Sequence, residues 1–280
     1  MSHSYSKIKI ALLVTLFALL TFIFLFPIYA LILGSFKPVK ELFRSGLNLS
    51  LEFDLFTLEN YAAMTTKKGL RYFIWFKNSL IITAVQTFLT LFFSSVVGYG
   101  LAVYNFKGRN LCFILVLITL MIPTEALLLP LYKLMIDLHL INTYAGVILP
   151  VIVLPFAIFF FRQYALSLPT ELIEAARVDG CTEYGIFFRI MVPMMTPAYG
   201  AMAILVGLFS WNNLLWPMII LNSSKSYTLP IGLVALISPY GNNMALLLSG
   251  SILAVIPVLI IYLFMQRYFI EGLTSGSVKG

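Results

Sequence analysis

Long stretches of this chain contain no aspartate, glutamate, lysine or arginine: 10–36, 78–106, 110–124, 138–161, 190–224 and 226–266. A helix of about 20 apolar residues crosses a hydrocarbon core, and in lipid every backbone N–H and C=O must be satisfied within the protein. The runs therefore predict an all-α, polytopic membrane protein of about six transmembrane helices, near 10–34, 78–104, 111–133, 144–164, 198–221 and 245–267. The third is carried past Glu125 by the apolar residues 126–132. Composition agrees. Hydrophobic residues make up 61% and charged residues 10%, with a mean hydropathy of +0.98, whereas soluble domains carry about 25% charge. The first run follows Lys7 and Lys9, exceeds the core of about 7–15 residues of a secretory signal, and lacks a small-residue cleavage site, so it reads as a retained first helix.

The net charge is +7, but the 18 basic residues sit at the ends of apolar runs and form no stripe. They read as membrane anchors, not as a nucleic-acid surface. Placing the N-terminus inside puts Lys107, Arg109, Arg162, Arg177, Arg189 and Arg267 in or beside cytoplasmic segments and leaves Lys133 and Lys225 outside. Region 37–77 is also basic, yet carries Glu41, Glu52, Asp54 and Glu59. Six spans return the chain to its starting side, so both termini are expected in the cytoplasm, with outer pieces at 35–77, 134–143 and 222–244. Catalytic chemistry is poorly supplied. The histidines are His3 and His139, there is no HExxH helix, and glycine is never followed by lysine, so no phosphate-cradling loop can form. Cys112 and Cys181 make neither a metal site nor, in the cytoplasm, a disulfide, and are expected to pack. No catalytic residue and no metal ligand is assigned.

The membrane pattern is interrupted at 171–197, ELIEAARVDGCTEYGIFFRIMVPMMTP. Glu171, Glu174, Asp179, Glu183, Arg177 and Arg189 cannot sit in lipid at about 2.5–3.5 kcal/mol per central charge. The segment reads as short cytoplasmic helices. Thr170 is expected to cap the first, Glu171 meets its positive end, and Gly180 stops it; a second runs over 182–193. Ala175 and Ala176, sharing a face with Leu172, would leave a shallow knob for another protein's groove.

Glu174, Ala175, Ala176, Gly180, Ile190 and Pro193 resemble the EAA signature of permease subunits in binding-protein-dependent ABC importers. FTLENY at 56–61, NSL at 78–80, IPTEALLLPLY at 122–132, SWNNLLWP at 210–217, YTLPIGL at 227–233 and the terminal GLTSGSVKG are similar to the sugar branch, specifically the maltose-type second permease. The resemblance covers nearly the whole chain and implies one ABC transporter transmembrane domain over 1–280, with its core at about 72–267. It implies a sugar importer, for an oligosaccharide, in a bacterial or archaeal cytoplasmic membrane. Its partners would be a second permease in a heterodimer, two ATPase subunits holding ATP and Mg, an extracytoplasmic sugar-binding protein and membrane lipid, with no nucleic acid and no cofactor on this chain. Glu174, Ala175, Ala176, Asp179 and Gly180 would couple to the ATPase. Rocking of helix bundles about a midplane cavity would give alternating access.

Polar residues within the spans are pathway candidates. Glu125 lies 14 residues after Leu111 and Asn212 lies 14 after Ala198, which at 1.5 Å per residue puts both about 21 Å up continuous helices. Thr124, Glu125, Asn212 and Asn213 would then line a wet cavity, against the competing reading that they pack or bond one another. Trp75, Trp211 and Trp216 read as interface or packing aromatics rather than sugar platforms. The outer loop 222–243 is long for a connector, and the resemblance turns it toward the binding protein, with Tyr227 and Tyr240 in contact. Composition makes the tail 271–280 a flexible end; the resemblance instead inserts Thr274, Ser275, Gly276 and Ser277 between the ATPases. A secondary transporter would require paired intramembrane acids where Glu125 stands alone; a non-transporting membrane scaffold is the other alternative.

Overall fold

The computed structural model describes residues 7–42, 44, 49–66, 70–237 and 243–274. Helices and short turns build them, and no strand occurs among them. Three helices are long and apolar enough to cross a membrane alone: α1 (Lys7–Phe36), α2 (Leu70–Val103) and the last helix, Met244–Thr274. Between α2 and that helix, three further pairs qualify only together. The first joins α3 (Arg109–Leu120) and α4 (Leu128–Asp137), bent by 95°. The second joins α5 (Tyr144–Ile148) and α6 (Pro155–Leu166), bent by 46°. The third follows α7 (Glu171–Val178): α8 (Glu183–Ile186) with its helical continuation to Met194 meets α9 (Thr196–Trp211) at 75°. Then come α10 (Leu215–Ile220), α11 (Leu229–Ala235) and α12 (Met244–Thr274), while single-turn helices at Val39–Leu42 and Glu59–Ala62 lie between α1 and α2.

Three of the expected spans are interrupted, at 121–127, 152–154 and 212–214, so that 144–164 is two helices, α5 and α6. A continuous helix over 111–133 does not form: α3 ends at Leu120, and Thr124–Leu127 make a 3-10 turn before α4. Pro123 has an extended ψ of 130° and offers no N–H to the preceding turn, so the ladder stops there. The helix over 198–221 likewise ends at Trp211, and Asn212 is its C-terminal flank. The rise of about 21 Å therefore holds for Asn212, at the end of a helix unbroken from Ala198, but not for Glu125, whose helix stops at Leu120. Helix α2 starts eight residues earlier than expected, at Leu70, because Arg71 and Lys77 lie exposed on its first turns.

The described residues form two compact units. In the unit drawn from 1–72 and 233–256, the end of α1 is capped from the FTLENY segment. The Asn60 side-chain amide donates to the carbonyls of Ser35 at 2.8 Å and Lys37 at 2.7 Å, satisfying acceptors that a helix end leaves open. The buried Ser249 hydroxyl donates to the Asn60 carbonyl at 3.0 Å, and Tyr61 meets Ser35 oxygen to oxygen at 2.9 Å.

In the unit drawn from 73–232 and 257–280, one core gathers Ile82, Met135, Val147, Ile148, Trp216 and Ile220, and another Ala157, Phe161, Ala198 and Met202. Asn78 organises one end of α2. Its amide nitrogen donates to the carbonyls of Lys225 at 2.9 Å and Tyr227 at 2.8 Å, and its oxygen accepts from the Tyr144 hydroxyl at 2.6 Å. The next residue, Ser79, accepts from the Leu229 amide at 2.8 Å. The start of the outer loop is thus stitched to α2. The tryptophans pack instead of forming an interfacial belt: Trp75, Trp211 and Trp216 are 4%, 5% and 6% exposed. Trp75 donates to the Ser224 carbonyl at 2.7 Å and Trp216 to that of Gly146 at 3.2 Å.

Candidate coupling site

The charged insert folds as short helices, and the threonine that caps is Thr182, not Thr170 as expected. Thr170 has helical backbone angles and makes no side-chain cap, because a capping side chain requires an extended backbone. Thr182 has that backbone, with φ −70° and ψ 153°, and its hydroxyl accepts from the Gly185 amide at the start of α8. The stop of α7 forms as expected. Gly180 has φ +76°, its N–H donates to the Arg177 carbonyl at 3.1 Å, and the Cys181 N–H reaches back to Ala176 at 2.9 Å. This is the paired 5→2 and 6→1 bonding of a Schellman motif.

The faces of α7 are divided differently from the expected knob. Ala176 is 5% exposed and Ile173 4%, and both pack with Tyr99, Ile186, Phe187 and Met191. Ala175 is exposed, beside Leu172 at 44% and Val178 at 87% exposure. Ala176 therefore does not share the outer face with Ala175; it seats the helix on the chain's own core, one turn from Ile173. Glu171, Glu174 and Asp179 are exposed, with both glutamates in the first turn, where they favour the positive helix end.

A further set of residues fixes α7, and sequence reasoning missed it. The Arg177 guanidinium donates to the Glu183 carboxylate at 2.8 and 3.2 Å, and the Tyr104 hydroxyl, just beyond α2, donates to the same carboxylate at 2.7 Å. Arg177 first, and Tyr104 second, hold the Glu183 carboxyl below its ordinary range. Burial and the negative Glu183 push the Tyr104 phenol up. Glu183 follows Arg177 by six positions, a spacing that becomes a contact only through the turn at Gly180. Phe187–Met191 follow in π-helical geometry, a local widening that occurs often at functional sites and has no sequence signal.

The lock has a defined pH sign. A depressed carboxyl contributes stability that is complete above its unfolded pKa and is lost as pH falls through the folded value. Amide exchange across 171–186 is expected to stay slow until pH passes below the usual carboxylate range, then to accelerate. Glu183→Gln should show the accelerated rate already at neutral pH. Equal exchange in both proteins at pH 7 would remove the lock.

The other candidates lie on several different elements. Thr124 and Glu125 lie exposed on the turn before α4. Asn212 is exposed and donates to the Leu208 carbonyl at 3.0 Å, and no hydrogen bond joins either asparagine to Thr124 or Glu125 among the described residues. Tyr227 is half-buried and packs against the core around Trp216. Tyr240, Ser275, Gly276 and Ser277 lie outside the described residues, and Thr274 ends α12. Cys112 and Cys181 are exposed, not packed.

Apolar spans, several broken at mid-length, with charged short helices seated at one end of a helical core, define a multi-pass membrane subunit of the transport class. Residues 92–274 match the model of the binding-protein-dependent transport system inner membrane component family, and the chain belongs to that family. It is 58% identical over 279 residues to the arabinooligosaccharides transport system permease protein AraQ of Bacillus subtilis, covering 100% of this chain and 99% of that one. It is 37% identical to the lactose transport system permease protein LacG of Rhizobium radiobacter, covering 94% and 93%. The fold matches a chain of a bacterial ABC transporter involved in the import of the acidic polysaccharide alginate, with TM-score 0.85 at 21% identity, covering 96% of this chain and 100% of that one. The protein is thus an ABC transporter permease subunit for sugar transport, of a family that works with a partner permease, an ATPase and a binding protein.

Proposed function

We propose that this chain forms half of the membrane pathway of an ATP-driven oligosaccharide importer, in a heterodimer with a second permease. Two separate ATPase subunits hold ATP and Mg, and an extracytoplasmic sugar-binding protein delivers the solute. Arabinose-containing oligosaccharides are the favoured cargo, supported by the 58% identity to an arabinooligosaccharide permease along the whole chain. Both termini are cytoplasmic, in a bacterial or archaeal cytoplasmic membrane. Thr124, Glu125, Asn212 and Asn213 line the route, Tyr227 and Tyr240 meet the binding protein, and Thr274, Ser275, Gly276 and Ser277 enter the ATPase interface.

The observation that carries the coupling role is the two-sided build of α7. Its inner face, Ile173 and Ala176, is fixed to the permease core, while Leu172, Glu174, Ala175 and Val178 stand free. A helix anchored on one face and bare on the other passes a push from a bound partner into the spans. Purification of the tagged permease from its native membrane tests the assembly. The ATPase and second permease should co-elute, and ATP hydrolysis in proteoliposomes should rise when binding protein loaded with arabino-oligosaccharide is added. Isolation of the permease without an ATPase would overturn the importer reading, and stimulation by another sugar alone would overturn the cargo.

A further inference from the structure

The turn between α2 and α3 carries a cation cluster that the transport mechanism does not use. Residues 105–111 line an open surface depression of about 490 Å³ that contains Lys107 and Arg109. No Asp or Glu occurs anywhere from Tyr61 to Thr124, and neither cation has an ion-pair partner among the described residues. Arg109 donates to the Asn105 side-chain oxygen at 2.8 Å, which leaves most of its guanidinium donors open. A third cation stands close by: Arg162 lies 3.7 Å over the ring of Phe113, one helical turn after Arg109 on α3. Glu183, reached by the Tyr104 hydroxyl, is already engaged by Arg177.

A second, apolar groove of about 470 Å³ adjoins the basic one, sharing Phe106 and lined also by Val97, Gly100, Leu101, Cys112 and Val116. There is free space beside Gly100, where a Cβ would meet nothing within 4 Å. Like charges held together at a membrane surface attract anions, and the adjoining apolar channel requires that the anion carry a hydrocarbon chain. We propose that this paired site binds an anionic phospholipid, with its phosphate on Lys107 and Arg109 and one acyl chain along Gly100, Leu101 and Val116.

The test uses the complete importer in nanodiscs containing phosphatidylglycerol and phosphatidylcholine of identical chains, with lipid retained after transfer to detergent counted by mass spectrometry. The wild type should retain phosphatidylglycerol in preference. Lys107→Gln with Arg109→Gln should weaken retention about 25-fold, roughly fivefold for each charge near the surface. Lys107→Arg with Arg109→Lys should keep it, separating charge from folding. Gly100→Leu should release the lipid by filling the groove while the cations remain. Soluble glycerol phosphate should fail to displace it. Equal retention of both lipids, or no loss in the doubly neutralised complex, overturns the proposal. Full displacement by glycerol phosphate would make the turn a free-phosphate site, and loss of a protein subunit with unchanged lipid would make it a subunit interface; both also overturn it.

Discussion

Gly180→Val is expected to leave the permease in the membrane and its complex assembled while binding-protein-stimulated transport falls about tenfold or more. The position is open, since an added Cβ meets nothing within 4 Å, yet its φ is +76°. The effect is therefore one of backbone alone. An L side chain in the left-handed region costs about 1–2 kcal/mol, and a β-branched one is a genuine outlier there. Relief comes by unwinding the Schellman turn, which releases the Gly180 and Cys181 amides from Arg177 and Ala176 and separates Arg177 from Glu183. Gly180→Asn, which tolerates this conformation, should retain most of the transport. Equal uptake by the valine and asparagine variants, in membranes holding equal amounts of complex, would show that the stop of α7 does not matter.

Asn78→Leu should act on stability. The side chain is 3% exposed and leaves the carbonyls of Lys225 and Tyr227 and the hydroxyl of Tyr144 without their partner. At about 1 kcal/mol or more for each group left unpaired, the loss totals about 3 kcal/mol, or roughly 6–12 °C in melting temperature in detergent. Asn78→Asp keeps the acceptor for Tyr144 but turns a carboxylate oxygen toward both carbonyls, and should cost at least as much as leucine because the buried charge is unpaired. A melting temperature unchanged by leucine would mean that water replaces the amide and that the outer loop is not held from α2.

The residues that legibly set the fold are those whose physics is local. Charge-free runs mark the spans because lipid excludes charge, and Gly180 marks the helix stop because only a residue without Cβ takes that φ freely. Hydropathy measures apolar length and is blind to helical continuity, so it joined 111–133 across Pro123 and 198–221 across Asn212 and Asn213. It also truncated α2 at Lys77, whose ammonium reaches solvent from within a helix. Within the candidate site, the pair Ala175 and Ala176 looked equivalent because both are small. Their division follows from Ala176 standing three residues after Ile173 on the buried face, and depends on what Tyr99 and Phe187 offer from distant segments. The Arg177–Glu183–Tyr104 lock was illegible for the same reason, since Tyr104 comes from 79 residues earlier.

Single cysteines introduced along α7 of the co-purified importer, in a background with Cys112 and Cys181 replaced, give the most direct measurement of the coupling claim. Short thiol cross-linkers should join Leu172→Cys and Ala175→Cys to the ATPase subunit, with yields that change when ATP is added, whereas Ile173→Cys should give none because its face is buried against the permease itself. Absence of any ATPase cross-link from positions 172 and 175 in an assembled, transporting complex would contradict the account.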